Sequence, residues 1–141
     1  MKIIIGADHA GFELKSAIIA HLKTKGVDVV DLGTDNAKTS VDYPDYGKKV
    51  AEKVLSDNCL GILICGSGIG MCITANRFKG IRAANVNDLY SAKMSKRHNN
   101  ANIICLGSRI VATGLALEIV DTWMSEEFEG GRHQARLAKI S

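Results

Sequence analysis

Five short apolar runs, each separated from the next by a segment of helical periodicity, constrain the fold of this chain more than any other feature. The runs span residues 2–6, 27–32, 60–65, 82–86 and 102–106. Short apolar strands joined by helices are typical of a parallel sheet that is covered on both faces. Because such crossovers are right-handed, the pattern predicts an α/β fold, a three-layer α/β/α doubly wound domain with a five-stranded parallel sheet.

The intervening segments carry the spacing of amphipathic helices. Leu14, Ile18 and Leu22 recur every four residues, and the only proline, Pro44, suits the first turn of a helix. We expect helices over 12–25, from about Pro44 onwards, and over 71–78, 89–98 and 113–126, with a last basic helical turn or two after 131. At 141 residues the chain fits one domain, residues 1–141.

The charge is concentrated at one end of the chain. The net charge is +3, and residues 130–141 hold three basic residues and no acidic one. A neutral body with a basic tail differs from a nucleic-acid binder, which needs a broad basic face, and it indicates one local anion site. The apolar runs are far shorter than the roughly 20 residues that span a membrane. We therefore expect neither a nucleic-acid partner nor a membrane partner.

The four cysteines show no pairing or metal-binding pattern. Cys59, Cys65, Cys72 and Cys105 form no CxxC motif and no zinc spacing, so no metal is expected. Free thiols in a chain that opens on a strand pattern, without a signal-peptide pattern, indicate a cytoplasmic protein.

In doubly wound folds the ligand binds beyond the carboxyl ends of the strands, which directs attention to the residues that follow each run. After the third run, the glycine-rich segment 66–70 leads into a helix, and its amides favour an anion. Its spacing does not match the dinucleotide fingerprint. A P-loop is excluded as well, because Gly6 and Gly11 have the right spacing but are followed by Phe12-Glu13 instead of Lys-Ser/Thr. The alternative is a tight turn that simply requires small residues.

Several single residues also have two interpretations. Cys65 ends the third run beside a helix start, which stabilises a thiolate nucleophile or base, but a buried structural cysteine is equally consistent. Asp8 and His9 suit a hydroxyl or phosphate contact, while Asp8 could instead cap the next helix. Arg132 and Arg136, four residues apart, would share a helix face as a phosphate clamp or form a solvated basic terminus. His98 suits a helix C-terminus, and His21 and His133 are most simply exposed.

Six segments in order resemble one known family across essentially the whole chain. The sequence is similar to type B ribose-5-phosphate isomerase in GADHAG (6–11), DYP (42–44), CGSGIG (65–70), HNNAN (98–102), GSR (107–109) and EGGRHQAR (129–136). The wider superfamily includes allose-6-phosphate isomerase and a two-subunit galactose-6-phosphate isomerase, in which the cysteine loop and the basic tail belong to unlike chains. This chain carries both features, which favours the single-chain type.

The resemblance implies a cofactor-free aldose–ketose isomerase that interconverts ribose 5-phosphate and ribulose 5-phosphate through an enediolate, in the pentose phosphate pathway. Cys65 would be the base that takes the C2 proton and returns it at C1, and His98 would protonate the ring oxygen with Asp8 assisting. The remaining roles implied are enediolate stabilisation by Gly66, Ser67, Gly68, Ile69 and Gly70, substrate enclosure by Tyr43 and Asn99, and phosphate binding by His9, Arg109, Arg132 and Arg136.

The resemblance also implies a homodimer, or a dimer of dimers, in which the basic tail 130–141 reaches a partner subunit and the site is shared. An isomerase for allose 6-phosphate or another aldohexose 6-phosphate would carry the same motifs. A non-catalytic sugar-phosphate binding module is a further alternative, although binding alone needs no thiol beside the glycine loop. A thiol redox role lacks support because no CxxC motif is present.

Overall fold

The computed structural model of this chain describes residues 1–140, and in them five strands alternate with helices as the apolar runs predict. The strands are β1 (Lys2–Ala7), β2 (Asp28–Asp31), β3 (Leu60–Cys65), β4 (Ala83–Asn85) and β5 (Ile103–Gly107). The helices are α1 (Phe12–Thr24), α2 (Tyr43–Asp57), α3 (Ile69–Ala75), α4 (Leu89–Arg97), α5 (Thr113–Ser125) and α6 (Arg132–Ile140). The predicted doubly wound α/β class is confirmed.

The strands form one parallel sheet in the order β2-β1-β3-β5-β4. From β1 the chain crosses to β2 on one side, whereas from β3 it crosses towards β4 on the other side. The neighbours β1 and β3 therefore flank the point at which the winding direction reverses. In open α/β sheets this switch point opens the crevice in which ligands bind, at the carboxyl ends of the strands.

Two apolar clusters cover the two faces of the sheet, since successive strand residues point to opposite faces. On one face, Ile3, Ile5 and Ile62 pack against α1, α4 and α5. On the other face, Ile4 and Cys65 pack with residues of α2 and α3. Cys65 therefore belongs to the α2–α3 side of the molecule.

Helix boundaries agree with the sequence except near the glycine loop and the tail. The predicted helix over 71–78 begins two residues earlier, because the turn ends at Gly68, which has φ 80°, and Ile69 already starts α3. The tail forms a nine-residue helix, roughly two and a half turns, instead of a turn or two. Asp88 caps α4 as a side-chain acceptor for the Ser91 amide.

The helix α6 lies at the amino end of the sheet's edge strand β4. Leu137 and Ile140 line a groove with Asn76 and Arg82, and Arg82 immediately precedes β4. Among residues 1–140, no helix combines the length and apolarity needed to cross a bilayer.

Candidate active site

The end of β3 presents a thiol to a backbone amide of the glycine loop. Cys65 is only 5% exposed, and its Sγ accepts a hydrogen bond from the Gly68 N–H at 3.1 Å. Gly68 takes φ 80°, which turns the chain so that its amide points back at the sulfur. The Ser67 Oγ accepts from the Ile69 N–H at 3.2 Å, which secures the loop at the start of α3.

The end of β1 places Asp8 and His9 on the opposite side of the crevice. The Asp8 carboxylate accepts from the Gly11 N–H at 3.1 Å, so the capping interpretation of Asp8 is correct, and its own amide donates to the Ile64 carbonyl at 3.2 Å. The His9 Nδ1 accepts from the Val41 N–H at 3.1 Å. With Nδ1 occupied as an acceptor, a neutral His9 carries its hydrogen on Nε2 and can donate it to a ligand.

The end of β5 brings a guanidinium to the glycine loop. The amides of Ser108 and Arg109 donate to the carbonyls of Cys65 and Gly66 at 2.9 and 3.0 Å, which fixes the β5 turn against the β3 turn. Arg109 Nη1 lies only 3.1 Å from the point where a side chain at Gly66 would begin. Glycine at this position therefore allows the cation to approach the loop backbone.

Tyr43 closes one side of the loop. Its ring lies against Gly70, where a Cβ atom would stand 2.5 Å from the ring, and the side chain remains 40% exposed. An aromatic ring in this position leaves its hydroxyl at the rim of the crevice. Tyr43 and the glycine loop therefore lie in contact within one chain.

Together these groups gather chemistry for a small phosphorylated molecule at the carboxyl ends of β1, β3 and β5. A thiol near a row of amides can move a proton and stabilise the oxyanion that results. The cationic Arg109 and the Nε2–H of His9 offer donors for a phosphate. We call this group the carboxyl-edge set; its members are Asp8, His9, Tyr43, Cys65, the loop 66–70 and Arg109.

The other predicted site residues lie at the opposite edge of the sheet. α4 runs back from the end of β4, so His98 and Asn99 precede β5 at its amino end. β5 has five residues and thus a length of about 16 Å, which separates these residues from the end where Cys65 lies. Arg132 and Arg136 project as exposed neighbours from α6, also at the amino end. We call His98, Asn99, Arg132 and Arg136 the amino-edge set.

One sequence expectation at the amino edge is wrong. His133 was expected to be exposed, yet it is 6% exposed and its ring stacks on His98 with centroids 4.1 Å apart. α6 has to bury one side against α4 and β4, and His133 and Leu137 are four residues apart on that side. Sequence reasoning also missed Glu129, which lies beside both rings, although its i, i+4 relation to His133 was a usable signal.

The other cysteines have a different environment from Cys65. A hydrogen bond from the Cys105 thiol lowers the pKa of Cys72 to about 7, and burial raises the pKa of Cys105 well above its usual range. Burial also raises the pKa of Cys59. All four cysteines are unpaired.

The fold and the carboxyl-edge set define a doubly wound α/β protein with a thiol and a guanidinium beside a glycine loop at its switch point. The family model described as Ribose/Galactose Isomerase matches residues 3–140. The chain belongs to this family.

Relatives and solved structures agree with this assignment. Ribose-5-phosphate isomerase B of Escherichia coli is 48% identical and aligns with 99% of this chain and 94% of its own length. The structure of ribose-5-phosphate isomerase B from Clostridium thermocellum matches with a TM-score of 0.97 and 55% identity, covering 99% of this chain and 95% of the other. The enzyme from Mycoplasma genitalium, solved with bound ribulose 5-phosphate, matches with a TM-score of 0.95 and 47% identity, covering 99% and 93%.

Proposed function

We propose that this chain is an isomerase that interconverts ribose 5-phosphate and ribulose 5-phosphate through an enediolate, with Cys65 as the base. The observation that carries the proposal is the nearly buried Cys65 Sγ, which accepts an amide hydrogen bond at the switch point of a Ribose/Galactose Isomerase fold. Relatives that align along the whole chain act on this pair of sugars by name.

In the proposed reaction, the Cys65 thiolate removes the C2 proton of the open-chain aldose, and the resulting thiol returns a proton at C1. The negative charge that develops on the enediolate oxygens is stabilised by the amides of residues 66–70 and the Ser67 hydroxyl. The proton removed from C2 is replaced by one added at C1, a second proton moves from O2 to O1, and the thiolate is regenerated, so one turnover balances without an external reductant or oxidant.

We assign substrate binding to groups from both edges of the sheet. His9 and Arg109 bind the phosphate from the carboxyl edge, and Arg132 and Arg136 complete the phosphate site. Tyr43 and Asn99 enclose the sugar. His98 protonates the ring oxygen during ring opening, with Asp8 assisting at a hydroxyl.

Because the two sets lie about one strand length apart, one chain cannot bring them to the same sugar. We therefore propose a homodimer, which can pair further as a dimer of dimers, in which the basic tail and His98 of one subunit complete the carboxyl-edge set of the other. The exposed apolar side chains near the crevice, Ile69, Ile73 and Ile110, support a contact surface there. We also propose a cytoplasmic location, supported by the four unpaired cysteines.

The test is to add ribose 5-phosphate to the purified protein in deuterated water and follow the sugar by proton NMR. We expect ribulose 5-phosphate, with deuterium incorporated at the carbon that receives the returned proton. No product and no exchange would overturn the ribose assignment. Turnover of allose 6-phosphate alone would identify a hexose-phosphate isomerase instead.

A further inference from the structure

The side chains of His98, Glu129 and His133 form a cluster where the end of α4, the segment after α5 and the start of α6 meet. Glu129 Oε1 lies 3.7 Å from His98 Nε2 and 3.4 Å from His133 Nε2. The two imidazole rings stack with centroids 4.1 Å apart and planes 12° apart. One carboxylate oxygen therefore faces both ring nitrogens on the same side of the stack.

Glu129 is held in this position by Arg97, the last residue of α4. Arg97 Nε contacts Glu129 Oε2 at 2.8 Å, and the Glu129 amide donates to the Arg97 carbonyl at 3.0 Å. Each end of the Glu129 residue is thus fixed to the helix that carries His98. A carboxylate anchored at one oxygen can orient a neighbouring ring with its other oxygen.

His98 and His133 differ in their exposure. The side chain of His98 is 36% exposed, and only its Nε2 is drawn to the cluster. His133 is nearly buried, and its Nε2 makes no hydrogen bond of good geometry within residues 1–140. The buried His133 ring thus supports the His98 ring, and the more exposed His98 keeps its Nδ1 available to a ligand.

His98, Glu129 and His133 also have the residue types of a metal site, and their potential ligand atoms lie within 4.8 Å of one another. An imidazole binds a metal in the plane of its own ring, at about 2.0–2.1 Å for zinc. In rings stacked 4.1 Å apart, the two nitrogen lone pairs run side by side and do not converge on one point. The geometry thus favours ring orientation over coordination.

We propose that Glu129 and His133 are positioning residues for His98. The carboxylate holds Nε2 inward, and the stacked His133 ring fixes the plane of the His98 ring, so that Nδ1 faces a sugar bound to the partner subunit. This inference rests on the proposed function, in which His98 delivers the proton that opens the sugar ring.

The charges around the two histidines are consistent with His133 as the supporting ring and His98 as the ring that delivers the proton. Burial, followed by the charges of His98 and Arg132, lowers the pKa of His133, and Arg136 acts in the same direction while Glu129 opposes it. His133 is therefore mainly neutral at pH 7. The charged group beside His98 is Glu129 from the segment before α6, which Arg97 of α4 holds by its other oxygen. The two arginines of α6 act on His133.

The two substrates of the reaction separate ring opening from proton transfer. Ribose 5-phosphate is mainly a furanose and needs ring opening before its C2 proton can move. Ribulose 5-phosphate has its C5 oxygen esterified and stays open-chain, so exchange of its C1 proton with deuterated water requires only the base and the enediolate site.

The experiment measures both rates by proton NMR for Glu129→Gln, which keeps the size of the side chain and removes its charge. A general acid contributes about 10²–10⁴-fold, so a misdirected acid should lower ribose 5-phosphate turnover by about tenfold or more. Exchange at C1 of ribulose 5-phosphate should stay close to that of the unmodified protein. Glu127→Gln, an exposed carboxylate in the same segment, is the matched control and should change neither rate.

A second pair of variants tests the stack. His133→Phe keeps an aromatic ring under His98 and should retain most ribose 5-phosphate turnover, whereas His133→Ala should lose it to a similar extent as Glu129→Gln. C1 exchange should persist in both. Equal losses in the two reactions would mean that the cluster only supports the site as a whole, and unchanged rates would mean that it does nothing for His98; either result overturns the proposal. An unmodified protein that acts on neither sugar would instead refute the proposed function itself.

Discussion

At the residue scale, the four cysteines occupy four different chemical environments although the sequence presents them alike. Cys65 accepts an amide hydrogen bond at the switch point, whereas Cys59 lies at the other end of β3. Cys72 and Cys105 share a hydrogen bond in the α2–α3 core. Only Cys65 combines a thiol that accepts an amide hydrogen bond with a place among the proposed phosphate-binding groups His9 and Arg109.

Replacement of the base should abolish catalysis and leave the fold intact. Cys65→Ala removes one hydrogen bond and a small buried group, which should cost about 1–2 kcal/mol of unfolding free energy. Isomerisation, followed by NMR, should fall to background, while denaturant unfolding stays cooperative. Cys59→Ala is the control and should retain turnover; near-normal turnover in Cys65→Ala would remove Cys65 from the role of base.

Cys72 should be the most reactive of the remaining thiols near neutral pH. Its pKa is lowered to about 7, whereas burial raises those of Cys59 and Cys105. In the Cys65→Ala background, iodoacetamide should therefore label Cys72 first. Because only the thiolate reacts, labelling should slow as the pH falls through about 7, as measured by peptide mass spectrometry. A labelling midpoint near pH 9 at Cys72 would contradict this expectation.

The residue types that carry chemistry were readable from the sequence, but their neighbours were not. Cys65 and Asp8 could be singled out because Cys65 ends the third apolar run and Asp8 lies just beyond the first. The burial of His133 depends on which face of α6 packs against the rest of the domain, and the sequence of this basic nine-residue helix does not identify that face. The i, i+4 spacing of Glu129 and His133 pairs those two residues, but the contacts of Glu129 with Arg97 and His98 appear only in the folded chain.

At the element scale, the turn between β3 and α3 decides the geometry of the crevice. Gly68 takes φ 80°, and a Cβ atom there would stand 2.7 Å from Asn85 Oδ1 and 2.9 Å from the Leu106 carbonyl carbon. Both the backbone angle and the space therefore require glycine. The conformation in turn directs the Gly68 amide to the thiol.

Comparison of two glycines should separate the backbone angle from the space around it. Gly26 has φ 73° with nothing within 4 Å of its Cβ position, so Gly26→Ala should cost only the left-handed penalty of about 1–2 kcal/mol. Gly68→Ala should cost more and should also lose turnover, because the loop must shift. Denaturant unfolding and NMR turnover measure both effects. Equal destabilisation by the two substitutions would mean that the atoms around Gly68 can shift to accommodate a Cβ atom at little cost in free energy.

Strand and helix positions were largely predictable because each apolar run and each helical repeat is short and clearly bounded. The start of α3 was placed two residues late because a glycine-rich turn and the first turn of a helix look alike in sequence. The order β2-β1-β3-β5-β4 could not be read from local patterns, since it depends on which strands pair over long distances.

At the scale of the whole molecule, the two halves of the candidate site occupy opposite edges of one sheet. The carboxyl-edge set lies at the end of β3, and the amino-edge set lies before β5 and on α6. In a dimer with two-fold symmetry, the amino-edge set of each subunit can meet the carboxyl-edge set of the other. Two complete sites per dimer are therefore expected.

Mixed dimers test this arrangement directly. The Cys65→Ala and His98→Ala variants should each be inactive alone. When the two are unfolded and refolded together, half of the dimers contain one subunit of each kind, and one of the two sites in such a dimer is intact. The mixture should therefore regain about one quarter of the full activity. Activity is measured as ribose 5-phosphate turnover at fixed total protein.

The matched control mixes two variants from the same edge, His98→Ala and Arg132→Ala. In such hybrids every site lacks one residue of the amino-edge set, so activity should stay at the level of the separate variants. No restoration in the first mixture would mean that each site is built from one chain. Restoration in the control would mean that His98 and Arg132 of one subunit serve different sites, so that the amino-edge set does not act as a unit.

The separation of the two sets by the length of a strand also has an evolutionary consequence. After a gene duplication, one copy could lose its thiol loop and the other its basic tail, and the pair would still assemble one complete site. Mutations at the two edges would then accumulate independently, because neither polypeptide has to satisfy both requirements. The same sheet can thus serve a self-sufficient homodimer or two specialised descendants that depend on each other.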